Sequence, residues 1–255
     1  MITDNFRLDG KVAVVTGSGR GIGQAIGLAF SQAGANVVFT ARTQKDCEAN
    51  VEQAKKLEGR AIAVCCDVTD DAQLQNLADK TVEAFGKIDI IVNNAGGAWP
   101  NQVVNTTRQQ FNEAFDFNVT SAFSFTRICL PQLKENKGCV INISSAAGRL
   151  VQPNFCVYGS VKAALNFMTR LMASELSPDV RVNGIAPGSI MTDALSLFLD
   201  QAMRDKMASL TPMNRIGEVQ DIALAAVYLA SPAAGWVTGK ILEVDGGTET
   251  TNMPF

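Results

Sequence analysis

The 255-residue chain contains no histidine. That absence removes every serine–histidine or cysteine–histidine nucleophile pair and every histidine-bearing metal site. Any proton chemistry must run on other groups, and no metal site is expected. An excess of one charge is also missing: 22 basic against 25 acidic residues leave a net charge of -3. Neither nucleic acid nor an anionic membrane surface has an electrostatic reason to bind such a chain. No run approaches the roughly 18 uninterrupted apolar residues of a membrane span. The opening MITDNFRLDG lacks the charged-then-apolar plan of a secretory leader, so a cytoplasmic protein is expected. Cys47, Cys65, Cys66, Cys129, Cys139 and Cys156 form no CxxC pair, and their apolar neighbourhoods read as reduced core thiols.

What is present is a composition of 47% hydrophobic and 18% charged residues, enough apolar material for a sizeable core. Short β-branched runs recur as KVAVVT (11–16), NVVFTA (36–41), AIAVCC (61–66), IDIIVNN (88–94), GCVINISS (138–145), VRVNGIA (180–186) and KILEVD (240–245). Most lack alternation, as strands covered on both faces do. Helix-like stretches separate them, which predicts a parallel sheet with right-handed crossovers. No linker, repeat or low-complexity segment interrupts the series, so residues 1–255 read as one domain. The interval from Met191 to Met213 lacks a strand and carries Leu195, Leu197, Phe198, Leu199, Met203, Met207 and Leu210. Its helical spacing suits either core packing or a lid over an apolar cleft.

Directly after the first strand comes Thr16-Gly17-Ser18-Gly19-Arg20-Gly21-Ile22-Gly23, followed by QAIGLAFSQAG. Glycines there permit a tight strand-to-helix turn and let backbone amides approach a phosphate, which the helix N-terminus also attracts. Ile22 falls where the third glycine of GxGxxG would stand, so the loop alone is weak evidence. Its place after strand one of an alternating pattern is what points to a dinucleotide. At the end of strand two, where NAD-binding domains usually carry an acid, the chain reads Thr40-Ala41-Arg42. A 2'-phosphate would meet a cation there instead of a carboxylate, and Arg20 could reach the same group. NADP(H) is therefore favoured over NAD(H), against the plainer reading of two surface arginines.

With TGSGRGIG, NNAG (93–96), ISS (143–145), YGSVK (158–162) and PGSIMT (187–192) in that order, the chain resembles the short-chain dehydrogenase/reductase family over essentially its whole length. Within the family, RLDGK, VNNAGG, RVNGIAPG, LTPMNRIGEVQDIA and SPAAGWVTGK are similar to bacterial 7α-hydroxysteroid dehydrogenases and β-ketoacyl reductases. The resemblance implies an α/β, single-domain Rossmann fold: a doubly wound parallel seven-stranded sheet with helices on both faces, often assembled as a homotetramer. It implies that Tyr158 is the catalytic acid or base, Lys162 its activator, Ser145 the partner of the substrate oxygen and Asn118 part of a proton relay. Cofactor contacts would come from Gly17, Ser18, Arg20, Gly21, Ile22 and Gly23, from Arg42, from Asp67 and Val68 at the adenine, and from Asn94, Ala95 and Gly96. Pro187, Gly188, Ile190 and Thr192, with Tyr158 and Lys162, would meet the nicotinamide end. Two departures are visible. Gly159 and Val161 replace common residues of YSASK, and Ala41 stands where the NAD-using 7α-hydroxysteroid type carries aspartate.

The spacing of YGSVK has its own physical meaning. On a helix, Tyr158 and Lys162 lie on one face, a turn apart. Working near pH 7 asks a phenol of pKa about 10 to shift by about three units, roughly 4 kcal/mol. A unit cation about 4 Å away at an effective dielectric near 20, with help from the positive charge of an oxidised nicotinamide, supplies about that much. Such a pair gives acid–base chemistry to a protein without histidine.

The expected substrate is a small-molecule ketone or secondary alcohol, hydrophobic or ring-containing such as a steroid, given the 191–213 segment, Trp99 and Phe155. A 3-oxoacyl thioester is the alternative, if Arg127, Arg149 and Arg170 form a basic rim for an acidic carrier. A non-catalytic NADP-binding sensor or scaffold is the alternative of another class, though it has no need of Ser145, Tyr158 and Lys162 together. The stretches Asn118–Leu133 and Cys156–Leu176 hold more apolar residues than one sheet face needs. Either core packing or burial against further copies of the chain would account for them.

Overall fold

A computed structural model of the protein describes residues 1–196 and 199–252. Leu197 and Phe198 of the expected lid lie outside the described residues. In chain order the main elements are β1 (Val12–Thr16), α1 (Gly21–Gln32), β2 (Asn36–Ala41), α2 (Gln44–Ala54), β3 (Ala61–Cys65) and α3 (Asp71–Phe85). Then come β4 (Ile90–Asn93), α4 (Arg108–Phe115), α5 (Ser121–Glu135), β5 (Cys139–Ile143), α6 (Cys156–Leu176) and β6 (Arg181–Pro187). The last third holds β7 (Ile190–Met191), α7 (Asp193–Ser196), α8 (Gln201–Ser209), β8 (Gly217–Glu218), α9 (Val219–Ala230) and β9 (Ile241–Val244).

Seven strands form one sheet in the order β3-β2-β1-β4-β5-β6-β9, and every pairing is parallel. Each expected apolar run contributes one of them. The continuous apolar strands need cover on both faces, and they have it. Ala13, Val15, Val37 and Phe39 pack with Ile26 and Phe30 of α1 and with Ile222 and Ala226 of α9. Val14, Val38, Ile91 and Val140 turn the other way onto Leu74 and Leu77 of α3, Phe125 and Cys129 of α5 and Met172 of α6. This is a single-domain α/β Rossmann-like fold. Strand order reverses between β1 and β4, which opens a crevice at the carboxyl edge of the sheet.

Two expectations need refinement. The interval after β6 is not free of strand: Ile190–Met191 pairs in parallel with Gly217–Glu218 in a small separate sheet, too short to show as a periodic run. Four of the six cysteines are buried, but Cys65 and Cys156 are exposed, so the reading as core thiols holds for four. Burial pushes the Cys47 thiol up to about 11 and the Cys66 thiol up to about 12. No helix among the described residues is long and apolar enough to cross a membrane.

Candidate active site

At the crevice, the glycine loop is fixed by contacts that leave no room for larger residues. A methyl carbon on Gly23 would lie 2.4 Å from Asn94 Nδ2 and 2.6 Å from the Gly17 carbonyl oxygen. Gly17 and Gly21 have φ of +62° and +60°, conformations open to glycine at little cost. The Thr16 hydroxyl donates to the Val92 carbonyl (3.2 Å) and accepts from the amides of Asn94 and Ala95 (3.0 Å each). Asn94 Nδ2 in turn donates to the carbonyls of Thr16 (2.9 Å) and Gly17 (3.1 Å), which joins the loop to the end of β4. Asn50 on α2, fully buried, donates to the carbonyls of Ser18 and Gly19 at 2.8 and 3.1 Å. Ser18 is buried too. Its amide donates to the Thr40 carbonyl (2.9 Å), and its hydroxyl accepts from the Thr40 amide (2.8 Å). Its side chain thus ties the loop to β2.

Two recesses meet along the carboxyl edge of the sheet and share Arg20, Asn94 and Gly96. The smaller, about 340 Å³, gathers Arg20, Arg42, Asp67, Val68, Ala95 and Asp46. Both arginines are exposed side chains in that recess. The larger, about 790 Å³, brings Ile22, Ser145, Tyr158, Lys162, Gly188 and Thr192 together with Pro187 and Ile190. Thr192 stands opposite the glycine loop, with Cγ2 3.7 Å from where a Gly21 side chain would begin.

The central cluster is positioned by ordinary local forces. Ser145 follows β5, where its hydroxyl accepts from the Ala147 amide at 3.2 Å and caps a short turn. That hydroxyl also hydrogen-bonds the Tyr158 phenol. Tyr158 and Lys162 share a face of α6, with the ammonium nitrogen 5.7 Å from the ring centroid. Lys162 is 3% exposed and donates to the Ile143 carbonyl at 3.0 Å. Phe155 packs edge-on against the Tyr158 ring, with centroids 5.9 Å apart.

Asn118 sits on a π-helical turn, Asp116–Thr120, between α4 and α5. Such a turn re-aims a side chain within a helix. Asn118 Oδ1 accepts from the Gly97 amide (2.9 Å), and Nδ2 donates to the carbonyls of Gly97 (2.9 Å) and Ala114 (2.8 Å). Gly96 lies between Asn118 and Lys162: a methyl there would be 2.6 Å from Asn118 Oδ1 and 3.1 Å from Lys162 Nζ.

The electrostatics differ from the sequence expectation. Burial pushes the Tyr158 phenol above its ordinary value, and the Ser145 hydrogen bond pulls it part of the way back. Burial also pulls the Lys162 ammonium down to about 8. The protein alone therefore lacks the near-neutral phenol that the helical spacing predicts, because the enclosure that gathers the two groups also disfavours charge on each.

Several residues of the site went unnoticed in the sequence. Asn93 donates to Asn142 (2.9 Å) and Asn142 to Thr169 (2.8 Å), a buried polar chain that joins β4, β5 and α6 behind the cluster. Gln152, Thr248, Thr251 and Asn252 line the larger recess. Of the lid residues, Leu195 lines the recess. Leu199 and Met207 are buried, whereas Met203 and Leu210 are exposed.

A family model described as enoyl-(acyl carrier protein) reductase matches residues 17–249. The chain belongs to the short-chain dehydrogenase/reductase family. It is an oxidoreductase of a family that uses a nicotinamide cofactor. An uncharacterised oxidoreductase from Mycobacterium tuberculosis is 49% identical, with 99% of this chain and 97% of the relative covered. The 7α-hydroxysteroid dehydrogenase of Escherichia coli is 43% identical over 96% of each chain. A solved short-chain dehydrogenase/reductase structure, a 7α-hydroxysteroid dehydrogenase complexed with NADH and 7-oxo glycochenodeoxycholic acid, matches with a TM-score of 0.93 at 42% identity. That match covers 96% of this chain and 97% of the other.

Proposed function

We propose that this oxidoreductase interconverts a ketone and a secondary alcohol on a hydrophobic, ring-containing substrate of hydroxysteroid type, with NADP(H) as cofactor. The observation that carries the reading is the meeting of Ser145, Tyr158 and Lys162 in one recess whose lining includes Trp99, Pro100, Leu150, Phe155 and Leu195. The residues present fit a dinucleotide, because the two contiguous recesses make one extended cleft over the glycine loop. Arg20 and Arg42 would meet a 2'-phosphate in the smaller one.

NADPH, when bound, supplies a hydride. Ser145 donates to the substrate oxygen and stabilises the charge that develops there. Tyr158 Oη gives that oxygen its proton in reduction and takes it back in oxidation. Lys162, seated on the Ile143 carbonyl, places a positive charge beside the phenol and favours its ionised form. Asn118 clamps Gly97 and so shapes the backbone between the two recesses.

The thioester alternative loses support at its basic rim. Arg149 is paired with Glu243 (3.0 Å), Asp245 (2.8 Å) and Glu249 (3.0 Å), and Arg127 lies 3.8 Å from Asp71. Those two arginines already face carboxylates of the same chain, whereas Arg170, the third member of the rim, is in none of the ion pairs among the described residues. NADPH oxidation across 7-oxo and 3-oxo steroids, cyclic ketones and a β-ketoacyl thioester, with NADH as control, tests the reading. Turnover of the ring ketones with NADPH is expected. Turnover of the thioester alone would overturn the substrate, preference for NADH would overturn the cofactor, and NADPH binding without turnover would return the sensor reading. A homotetramer is supported by exposed Phe123, Phe167 and Leu171 on α5 and α6; light scattering at the mass of a single chain would contradict it.

A further inference from the structure

The smaller recess holds a carboxylate that the arginines leave unused. Asp46 lies in the first turn of α2 and lines the recess with Arg20, Arg42 and Asp67. It stands over the glycine loop: a methyl carbon on Gly19 would be 3.2 Å from Asp46 Cβ and 3.7 Å from Oδ2. The same point is 3.3 Å from Ala41 Cβ. The carboxylate of α2 and the small side chain that ends β2 thus both border Gly19 in the same recess. No ion pair joins Asp46 to Arg20 or Arg42 among the described residues.

A carboxylate in that place has opposite effects on the two nicotinamide dinucleotides. It accepts hydrogen bonds from free ribose hydroxyls, and it repels a 2'-phosphate that the arginines attract. We infer that Asp46 is a specificity-determining residue that limits the preference for NADP(H), leaving a site that also accepts NAD(H). The inference rests on reading Arg20 and Arg42 as the 2'-phosphate contacts. Arginine alone would make the site strict; arginine with Asp46 makes it graded.

Calorimetric titration of the substrate-free protein with NADPH and with NADH tests this without turnover. Asp46→Asn should bind NADPH more tightly and NADH more weakly, raising the ratio of the two dissociation constants about tenfold, ~1.4 kcal/mol. Asp46→Ser should move the ratio in the same direction, and serves if the asparagine variant folds poorly. An unchanged ratio, or equal weakening of both cofactors as expected from a lost helix-start interaction alone, overturns the inference. Arg42→Ala separates this from failure of the underlying reading. If it leaves NADPH affinity intact, the 2'-phosphate assignment is wrong; if it weakens NADPH while Asp46→Asn leaves the ratio fixed, only the role of Asp46 is wrong.

Discussion

The two ends of the cleft are built differently. At the end proposed for the cofactor the constraints lie in the backbone. Gly17 and Gly23 have no space for a side chain, and Thr16, Asn50 and Asn94 bind carbonyls and amides of the loops. At the end proposed for the substrate the constraints are charged side chains far apart in sequence. Arg149, just beyond the turn after Ser145, reaches Asp245 and Glu249 of the segment following β9, pairs 96 and 100 residues apart. That segment also supplies Thr248, Thr251 and Asn252 to the recess. A backbone-built site admits few sequences. A side-chain-built site can be rewritten while the fold remains, which is how one scaffold accepts different substrates.

The chemical cluster between the two ends should show the largest effect. Tyr158→Phe removes one oxygen, keeps the ring against Phe155 and leaves Lys162 on Ile143. Turnover should fall by at least ~10³-fold, toward the upper end of what a positioned acid–base group contributes. NADPH affinity, read by titration, should stay within about threefold of the parent protein. Turnover retained at a tenth would remove Tyr158 from the central role.

The cofactor end can be broken by a single methyl group. Gly23→Ala puts a carbon 2.4 Å from Asn94 Nδ2 and 2.6 Å from the Gly17 carbonyl. Overpacking of that kind costs about 1–3 kcal/mol, and here the yielding atoms are those that hold the loop to β4. Cofactor affinity should drop by tens-fold or more while far-ultraviolet circular dichroism stays native. An affinity within threefold would show that the loop tolerates displacement and that backbone rigidity is not its principle.

The same contrast explains how much the sequence disclosed. All seven strands of the main sheet were legible because continuous apolar runs such as KVAVVT leave a parallel, doubly covered sheet as the natural solution. Tyr158 and Lys162 were legible because helical spacing alone brings them together. Asn118 owes its aim to a π turn that no periodicity reveals, and it emerged only through resemblance. Asn50 and Asn142 would each pass for ordinary helix or strand residues, since their bonds run to β1's loop and to α6. The two-residue pairing of β7 with β8 is below the length at which a pattern exists. Long-range charge pairing is the least visible of all: Arg149, a candidate for a basic rim in the sequence, meets three carboxylates of its own chain.

Lys162 gives a prediction of intermediate size that is read by pH. Its ammonium, pulled down to about 8 by burial, has an ordinary value of 10.5. Below about 8 the folded chain holds the buried charge and bears its full cost. Between about 8 and 10.5 the unfolded chain binds more protons, so this group makes the fold more stable as pH rises. Tyr158, pushed upward, acts in the opposite sense only above its ordinary 10.0. Lys162→Met should therefore be the more stable protein at pH 7, by about 1–3 kcal/mol, with the gap narrowing by pH 9.5 and turnover lost throughout. A gap that does not change with pH would show that burial does not disfavour the charge.

Arg149 should give the smallest change and the most direct test of the substrate end. Its partners differ in exposure: Asp245 is 6% exposed, Glu243 45% and Glu249 82%. The exposed pairs contribute little, about 0–1 kcal/mol each, so the bond to Asp245 dominates, joined by the 2.8 Å bond to the Thr248 carbonyl. These contacts hold one wall of the recess, not the reacting atoms. Arg149→Met should raise the KM for a ring ketone several-fold, leave kcat within about twofold and leave cofactor affinity unchanged, with Arg149→Lys recovering part of the loss. Raising salt should change the parent protein's substrate affinity little, because the screened outer pairs contribute little and the Asp245 contact is sheltered. If KM stays put while kcat falls, Arg149 acts on Ser145 through the short turn between them, and the substrate end is held by its loops rather than by charge.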